Sequence, residues 1–367
     1  MNYRELTTYI FGRHAWGPLF RDGDLPRVEF TDSDSSKYIE ESLEIIGERE
    51  KRSKQHVFNI GVGRESVYFQ KIGYEKITYL DICKENTDNL RQYCVQKDIQ
   101  NINIINADIE KYNNLPENTF DLVFMCGIYQ HIEHPSYALA RIIKALKPGG
   151  KMYMGFYRSG EWKYFLIAII RTLIDQSMFS KVKKYGAILE TFGELNHYQT
   201  SRLIDDFYIP CMHKFDPKDI IHDIEVLGGS VFQFDNDFRD YNHESKEYFS
   251  IGGDRIYITK NSSSDYDVKE IIPKLRTFTG KDQINDIDYR EQIIYENIEL
   301  AKNIRLRFEL GEVSQEEIVL LAIKLYDLTR PYIPKENEYY METQRVGRHK
   351  TLNKILKNFS EKIIQNI

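Results

Sequence analysis

HVFNIGVGRESVYFQKIGYEKITYLD, residues 56–81, decides the fold. An apolar run of Val57, Phe58 and Ile60 breaks into Gly61 and Gly63, passes Ser66 into a helical pattern, and re-emerges in a second apolar run that ends on Asp81. The pattern predicts strand, glycine turn, helix, strand, acid. A chain leaving a parallel strand for a helix must bend tightly, and a Cβ in that bend would hold the backbone away from a ligand. A carboxylate at the end of the second strand, 20 residues after Gly61, can accept hydrogen bonds from both hydroxyls of a ribose. The stretch therefore points to a nucleoside-containing ligand. The third glycine of a dinucleotide fingerprint is missing, and Glu65 stands in its place.

Working outward, the alternation of strand and helix continues to about residue 155. A helix is expected over 85–97, with Leu90, Tyr93 and Cys94 on one face, and strands over 102–106 and 120–126. A helix over 136–146, carrying Leu139, Ile142, Ile143 and Leu146, runs into Lys147-Pro148-Gly149-Gly150, and a strand over 151–156 follows. Further on, Asp216-Pro217 opens a helix that stops at Gly228-Gly229, and strands over 230–234 and 254–259 close the sheet as an antiparallel edge pair. The expected fold class is α/β: a doubly wound, mostly parallel seven-stranded sheet with a helical insertion and a C-terminal helical extension. The expected organisation is an N-terminal helical extension or lid over 1–54, in which Ile39, Leu43 and Ile46 share a face, and a ligand-binding domain over 55–260. The domain carries the helical insertion at about 157–212, and a helical region over 265–367 includes a Ser314–Glu317 capping box.

With 41% hydrophobic and 29% charged residues among 367, the chain has the composition of a folded protein rather than a disordered one. A net charge of −6 argues against a bulk nucleic-acid binder. Cys83, Cys94, Cys126 and Cys211 show no CxxC spacing, so reduced thiols are expected. No metal is expected either, because Cys211, His213 and His222 match no ligand spacing. The run YFLIAIIRTLI, 164–174, carries Arg171 and is too short to span a bilayer. The N-terminal MNYRELTTYIFGRHAWG lacks a basic region followed by an apolar core, so no secretion signal and a cytoplasmic location are expected.

Four features together resemble the class I S-adenosylmethionine-dependent methyltransferases, in particular the small-molecule enzymes similar to those of the ubiquinone pathway. They are NIGVG at 59–63, Asp81, NADIE at 106–110, and FDLVFMCGIYQHIEHP at 120–135 followed by LKPGG at 146–150. The resemblance implies a Rossmann-like methyltransferase fold, S-adenosylmethionine as cofactor and S-adenosylhomocysteine as product. It implies that Gly61 and Gly63 let the backbone approach the methionine part, that Asp81 binds the ribose, and that Ile82 packs on the adenine. Asp108 would accept the adenine amino group, Ile109 would lie beside the ring, and Cys126 and Gly127 would line the methionyl arm. Asn59 departs from the family, which usually has an acid there to hold the cofactor's ammonium; Glu65 could supply that charge. Outside the resemblance, Asp81 would also serve as a helix cap and Asp108 as a turn former.

Methyl transfer from a sulfonium is an in-line displacement that needs alignment and exclusion of water, and a base only for a hydroxyl or protonated amine. The loop after the fourth strand offers Tyr129, Gln130, His131 and His134. The segment LNHYQTSRLIDDFYIPCMHKF, 195–215, is expected to act as a substrate lid and adds His197, Asp205, Asp206, Tyr208 and His213. The candidate bases are His131, His197 and His213, and the candidate substrate contacts are Tyr129, Asp205 and Tyr208. The expected activity is methylation of oxygen, nitrogen or carbon of a small-molecule metabolite or natural-product intermediate. The alternative is a non-catalytic methyltransferase-fold subunit that binds a protein partner through its C-terminal helices, which are also a candidate homodimer surface. A macromolecular acceptor ranks last, given the acidic charge and the lack of an Asn-Pro-Pro-Tyr motif.

Overall fold

The computed structural model of the chain describes residue 8 and residues 33–47, 52–157, 209, 213, 215–235 and 254–277. All of them fall in one compact unit made of Met1–Ser159, Ile209–Asp237 and Gly253–Asp282. A second unit, Gly160–Tyr208, Phe238–Gly252 and Gln283–Ile367, lies outside the described residues, and with it most of the expected insertion and the Ser314–Glu317 capping box.

The order of elements is α1 (Ser33–Ile46), β1 (His56–Ile60), α2 (Arg64–Lys71), β2 (Lys76–Asp81), α3 (Lys84–Gln96), β3 (Ile102–Asn106), β4 (Phe120–Cys126), α4 (Pro135–Ala145) and β5 (Leu146–Phe156). There follow α5 (Pro217–Val226), β6 (Gly229–Asp235), β7 (Asp254–Lys260) and the short α6 (Val268–Ile271). The seven strands form one sheet in the order β3-β2-β1-β4-β5-β7-β6. The first five run parallel, and β7 lies antiparallel between β5 and β6. The expected doubly wound, mostly parallel sheet with an antiparallel edge is thus the observed one.

Burial explains why these segments are strands. All five residues of β1 are buried, which is the signature of a parallel strand covered on both faces. Phe58 and Ile60 join Val123, Met125 and the inward residues of α4 and α5 in one core. Val57, Leu122 and Phe124 join Ile39, Leu43 and Ile46 of α1 and Phe69 of α2 in another. Alternate residues of one strand thus serve opposite helical layers.

One expected boundary differs. The motif Leu146–Gly150 was expected to end the helix and precede the fifth strand. The helix instead ends at Ala145, and β5 begins at Leu146, which pairs with Phe120 before the register shifts so that Lys151 pairs with Leu122. Gly149 has φ +76°, and a Cβ on Gly150 would stand 2.8 Å from the Lys147 carbonyl. The glycines therefore let the strand absorb an irregularity that a side chain would block.

At the amino ends of β4 and β5 a lysine closes the structure. Lys260 is fully buried, and its Nζ donates to Asn118 Oδ1 at 2.9 Å, the Lys144 carbonyl at 3.1 Å and the Leu146 carbonyl at 2.7 Å. All three ammonium protons thus find acceptors, and two of these are carbonyls that the end of α4 leaves without helical partners. Among the described residues no helix is long and apolar enough to cross a membrane.

Candidate functional site

The site forms at the carboxyl ends of β1, β2 and β4, where a parallel sheet offers its ligand crevice. The chain leaves β1 through Gly61 at φ +148° and Gly63 at φ +93°, and Gly63 caps α2. A Cβ on Gly61 would meet Ile128 Cγ1 at 3.3 Å, and one on Gly63 would meet the Tyr79 ring at 3.0 Å and Leu90 at 3.1 Å. Gly63→Ala therefore combines a left-handed backbone, costing about 1–2 kcal/mol, with overpacking of about 1–3 kcal/mol. We expect it to lower stability by about 2–5 kcal/mol in urea denaturation. A variant as stable as the wild type would contradict the close approach of the loop to Tyr79.

Asn59 and Glu65, the two departures in this loop, are both engaged. Asn59 is buried and its Nδ2 donates to Ser66 Oγ at 2.9 Å, tying β1 to the first turn of α2. Glu65 is buried, and its Oε1 accepts from Tyr38 Oη at 2.7 Å and Arg64 Nε at 3.2 Å. The Arg64 guanidinium lies 5.9 Å from the centre of the Tyr38 ring. Burial, and then the charge of Glu65, pushes the Tyr38 phenol well above its ordinary value. The N-terminal helix α1 thus reaches the glycine loop through Tyr38.

Asp81 ends β2 with its carboxylate already oriented. Oδ1 accepts the Cys83 N–H at 2.7 Å, and Oδ2 accepts Asn86 Nδ2 at 2.9 Å and Tyr79 Oη at 2.8 Å. The Tyr79 hydroxyl also lies 2.8 Å from the Gly61 carbonyl. It has one proton for these two acceptors, so it couples the glycine turn to the carboxylate. Burial raises the Asp81 pKa to about 6, against the lowering effect of the Cys83, Asn86 and Tyr79 donors. Of about four lone-pair positions on a carboxylate, the fold fills two outright and a third only when Tyr79 turns from Gly61, so acceptor capacity remains.

The other expected cofactor residues surround this pair of strand ends. Ile82 is half-buried, and Ile109 is buried against the core that contains Leu80 and Met125. Asp108 Oδ1 accepts the Glu110 N–H at 3.0 Å, so its side chain forms its own turn. Cys126 ends β4 with its sulfur 3.7 Å from Tyr153 Oη, and burial pushes its thiol pKa up. Gly127 follows at φ +67°, and its carbonyl accepts Gln130 Nε2 at 2.7 Å.

Of the expected catalytic and substrate residues, His197, Asp205, Asp206 and Tyr208 lie outside the described residues. His131 and His213 come to the same turn. His131 is buried with its ring centre 5.8 Å from that of Tyr157, and the His213 N–H donates to the carbonyl of the adjacent Gln130 at 2.8 Å. Tyr129, expected at the substrate, is fully buried against Phe215 with ring centres 4.7 Å apart. Its hydroxyl lies 3.1 Å from Thr277 Oγ1, so its one polar side-chain atom is turned to the C-terminal segment. His134 caps α4, and its N–H donates to Glu110 Oε1 at 3.1 Å. Glu110, Glu133 and His134 bring ligand-type atoms within 4.8 Å of one another, a grouping the sequence spacing hides.

Sequence reasoning missed Tyr79 and Asn86, which orient Asp81, and Tyr38, which holds Glu65. Tyr79 had a local signal, since it stands two residues before Asp81 on one strand and must share its face. Tyr38 had none, because its partner is 27 residues away.

Residues 58–154 match the family model described as a methyltransferase domain. A mitochondrial ubiquinone biosynthesis O-methyltransferase of Dictyostelium discoideum is 25% identical over 135 residues, covering 32% of this chain and 42% of that protein. Malonyl-(acyl-carrier protein) O-methyltransferase 2 of Ilyobacter polytropus is 30% identical over 118 residues, covering 30% of this chain and 43% of that protein. The chain thus spans less than half the length of these relatives. An S-adenosylmethionine dependent methyltransferase from Mesorhizobium loti superposes with a TM-score of 0.39 at 12% identity, over 59% of this chain and 96% of that one. The matched segment contains the glycine turn, Asp81 and the turn after β4, and it is a methyltransferase domain of the class I S-adenosylmethionine-dependent family.

Proposed function

We propose that the chain binds S-adenosylmethionine between the glycine turn and Asp81 and catalyses methylation of oxygen, nitrogen or carbon of a small-molecule acceptor. The observation that carries this is the pairing of a left-handed glycine bend with a pre-oriented carboxylate on the neighbouring strand end, coupled through the Tyr79 hydroxyl.

The residues fit the cofactor. A Cβ would fill the cradle at Gly61 and Gly63, and Asp81 keeps acceptor capacity for ribose hydroxyls. Two buried amide oxygens, Asn86 Oδ1 and Gln130 Oε1, have no partner among the described residues and suit a ligand rich in hydroxyl and ammonium donors. In this reading Ile82 and Ile109 flank the adenine, Asp108 meets its amino group, and Cys126 with Gly127 borders the methionyl arm. When bound, the cofactor supplies an electrophilic methyl group on a sulfonium. The chain's residues align the acceptor and exclude water. For a hydroxyl acceptor, His131 or His213 takes the proton, and their meeting at one turn supports that role. His197, Asp205 and Tyr208 belong to the proposed lid.

Titration calorimetry with S-adenosylhomocysteine tests the proposal and has a defined pH dependence. The Asp81 pKa is raised to about 6 in the folded chain, so between its ordinary value and 6 the folded state holds the extra proton. This group therefore favours the fold at acid pH, and that contribution is lost as pH rises towards 6. Ribose binding favours the ionised carboxylate, so affinity should fall by up to about tenfold per unit below pH 6 and level off above it. Absence of binding from pH 5 to 8 would remove the reading.

One observation favours the non-catalytic alternative. Glu65 is already bonded by Arg64 and Tyr38, and Asn59 brings no charge, so neither offers an uncommitted anion to the cofactor's ammonium. Binding of the cofactor without turnover on a panel of hydroxyl, amine and carbon acceptors would move the assignment there.

A further inference from the structure

After β7 the chain returns across α4 through α6 and the 3-10 turn Ile272–Lys274, burying Ile271, Ile272 and Leu275 in the core shared with α4 and α5. It then delivers Thr277, 3% exposed, to the centre of a polar network. Asp223 of α5 is fully buried, and its carboxylate accepts the Arg276 N–H at 2.7 Å, the Thr277 N–H at 2.9 Å and the Thr277 hydroxyl at 2.5 Å. His222 Nδ1 lies 3.1 Å from the same carboxylate. Thr277 Oγ1 also lies 3.1 Å from Tyr129 Oη and 3.2 Å from Ser136 Oγ, both buried.

What each group can donate or accept fixes the proton directions. A carboxylate only accepts, so Thr277 donates its single proton to Asp223. Its two lone pairs then accept from Tyr129 and Ser136. Every position on the Thr277 hydroxyl is used, and all of its partners are buried.

Tyr129 opens the turn Tyr129–His131. The residue before it, Ile128, is the one that a Cβ on Gly61 would touch at 3.3 Å, and Gln130 holds the Gly127 carbonyl. The position of Tyr129 therefore sets how closely the turn after β4 stands to the glycine loop. We propose that Thr277 is a positioning residue for the cofactor pocket: anchored by Asp223, it fixes Tyr129 and completes the wall opposite Gly61. The segment 268–277, beyond the last strand, then belongs to the cofactor-binding unit. This rests on the cofactor reading above.

The test uses the full chain with Thr277→Val, Thr277→Ser, Tyr129→Phe and the control Asn118→Ala, which removes a Lys260 acceptor at the opposite ends of the strands. Affinity for S-adenosylhomocysteine should fall about tenfold in Thr277→Val, the scale of one or two lost buried hydrogen bonds, and return to within about threefold of wild type in Thr277→Ser. Asn118→Ala should lower the melting temperature without weakening binding. If Thr277→Val does not fold, Tyr129→Phe removes a single donor to the hub and should still weaken binding by about fivefold. Unchanged affinity in Thr277→Val, a serine variant as weak as the valine variant, or equal weakening in Asn118→Ala overturns the proposal. Amide exchange separates it from the cofactor reading. The His131 and Ile132 N–H groups, bonded to the Ile128 and Tyr129 carbonyls, should exchange faster in Thr277→Val, and equal protection in both chains overturns it even if the wild type binds no cofactor.

Discussion

Asp81→Ala is expected to lower affinity for S-adenosylhomocysteine by about 100-fold or more while changing stability little. The loss corresponds to two hydrogen bonds from ribose hydroxyls to a charged acceptor, at about 1.5–3 kcal/mol each. Stability is spared because two effects oppose each other. Alanine leaves the Cys83 N–H and Asn86 Nδ2 without their acceptor, although Tyr79 still has the Gly61 carbonyl. It also removes a carboxylate whose ionised form burial disfavours above pH 6, as its raised pKa of about 6 records. Asp81→Asn should bind with intermediate affinity and lose the acid limb of the pH profile, since it has no proton to exchange there. Calorimetry on both variants, with thermal melts alongside, checks this. Affinity within threefold of wild type for the alanine variant would place the ribose elsewhere.

The second large effect concerns stability alone. Lys260→Met should lower unfolding free energy by about 2–3 kcal/mol, because the buried Leu146 carbonyl loses its lysine donor at about 1–3 kcal/mol and two less buried acceptors lose one donor each, less what the aliphatic replacement regains. The groups that lose the ammonium are the Leu146 carbonyl, the Lys144 carbonyl, which keeps the Asn118 N–H at 3.1 Å, and Oδ1 of the exposed Asn118. Cofactor affinity of the folded fraction should stay unchanged, because these groups sit at the amino ends of β4 and β5, away from the glycine turn. Urea denaturation gives the first quantity and calorimetry the second. A loss under 1 kcal/mol would show that water or rearranged groups satisfy the carbonyls.

What could be read in advance was what is local. The apolar runs located β3 at 102–106 and β4 at 120–126 with the bounds the structure has: β4 lies inside the sheet and is buried along most of its length, while the edge strand β3 was marked by its isoleucines alone. Gly61, Gly63 and Asp81 lie within one strand-helix-strand unit, so their spacing alone implied the crevice. Tyr129 shows the limit: its sequence position suggested the substrate, but its hydroxyl meets Thr277, 148 residues later. Separation in sequence also hid Asp223 as an anchor, 54 residues before Thr277. LKPGG read as punctuation because Pro and Gly end helices, whereas its glycines instead accommodate a shifted register inside β5.

The position of β7 between β5 and β6 has a consequence for the order in which the molecule is made. Strands β1 to β5 are complete once residue 156 is synthesised, yet Phe156 pairs with Asp254, 98 residues later. Bringing such distant residues together costs about 4 kcal/mol of loop-closure entropy, and synthesis supplies the chain at about 5–20 residues per second. For several seconds, therefore, β5 is the rim of a five-stranded intermediate, offering its unpaired N–H and C=O groups to any neighbouring chain. Met152, Met154 and Phe156 alternate along that rim, and the core that buries them in the finished unit includes the later Ile220, Ile224, Ile256 and Ile258. The vulnerable moment in the life of this protein is the wait for residue 254, when an apolar edge is ready and its partner has not yet been made.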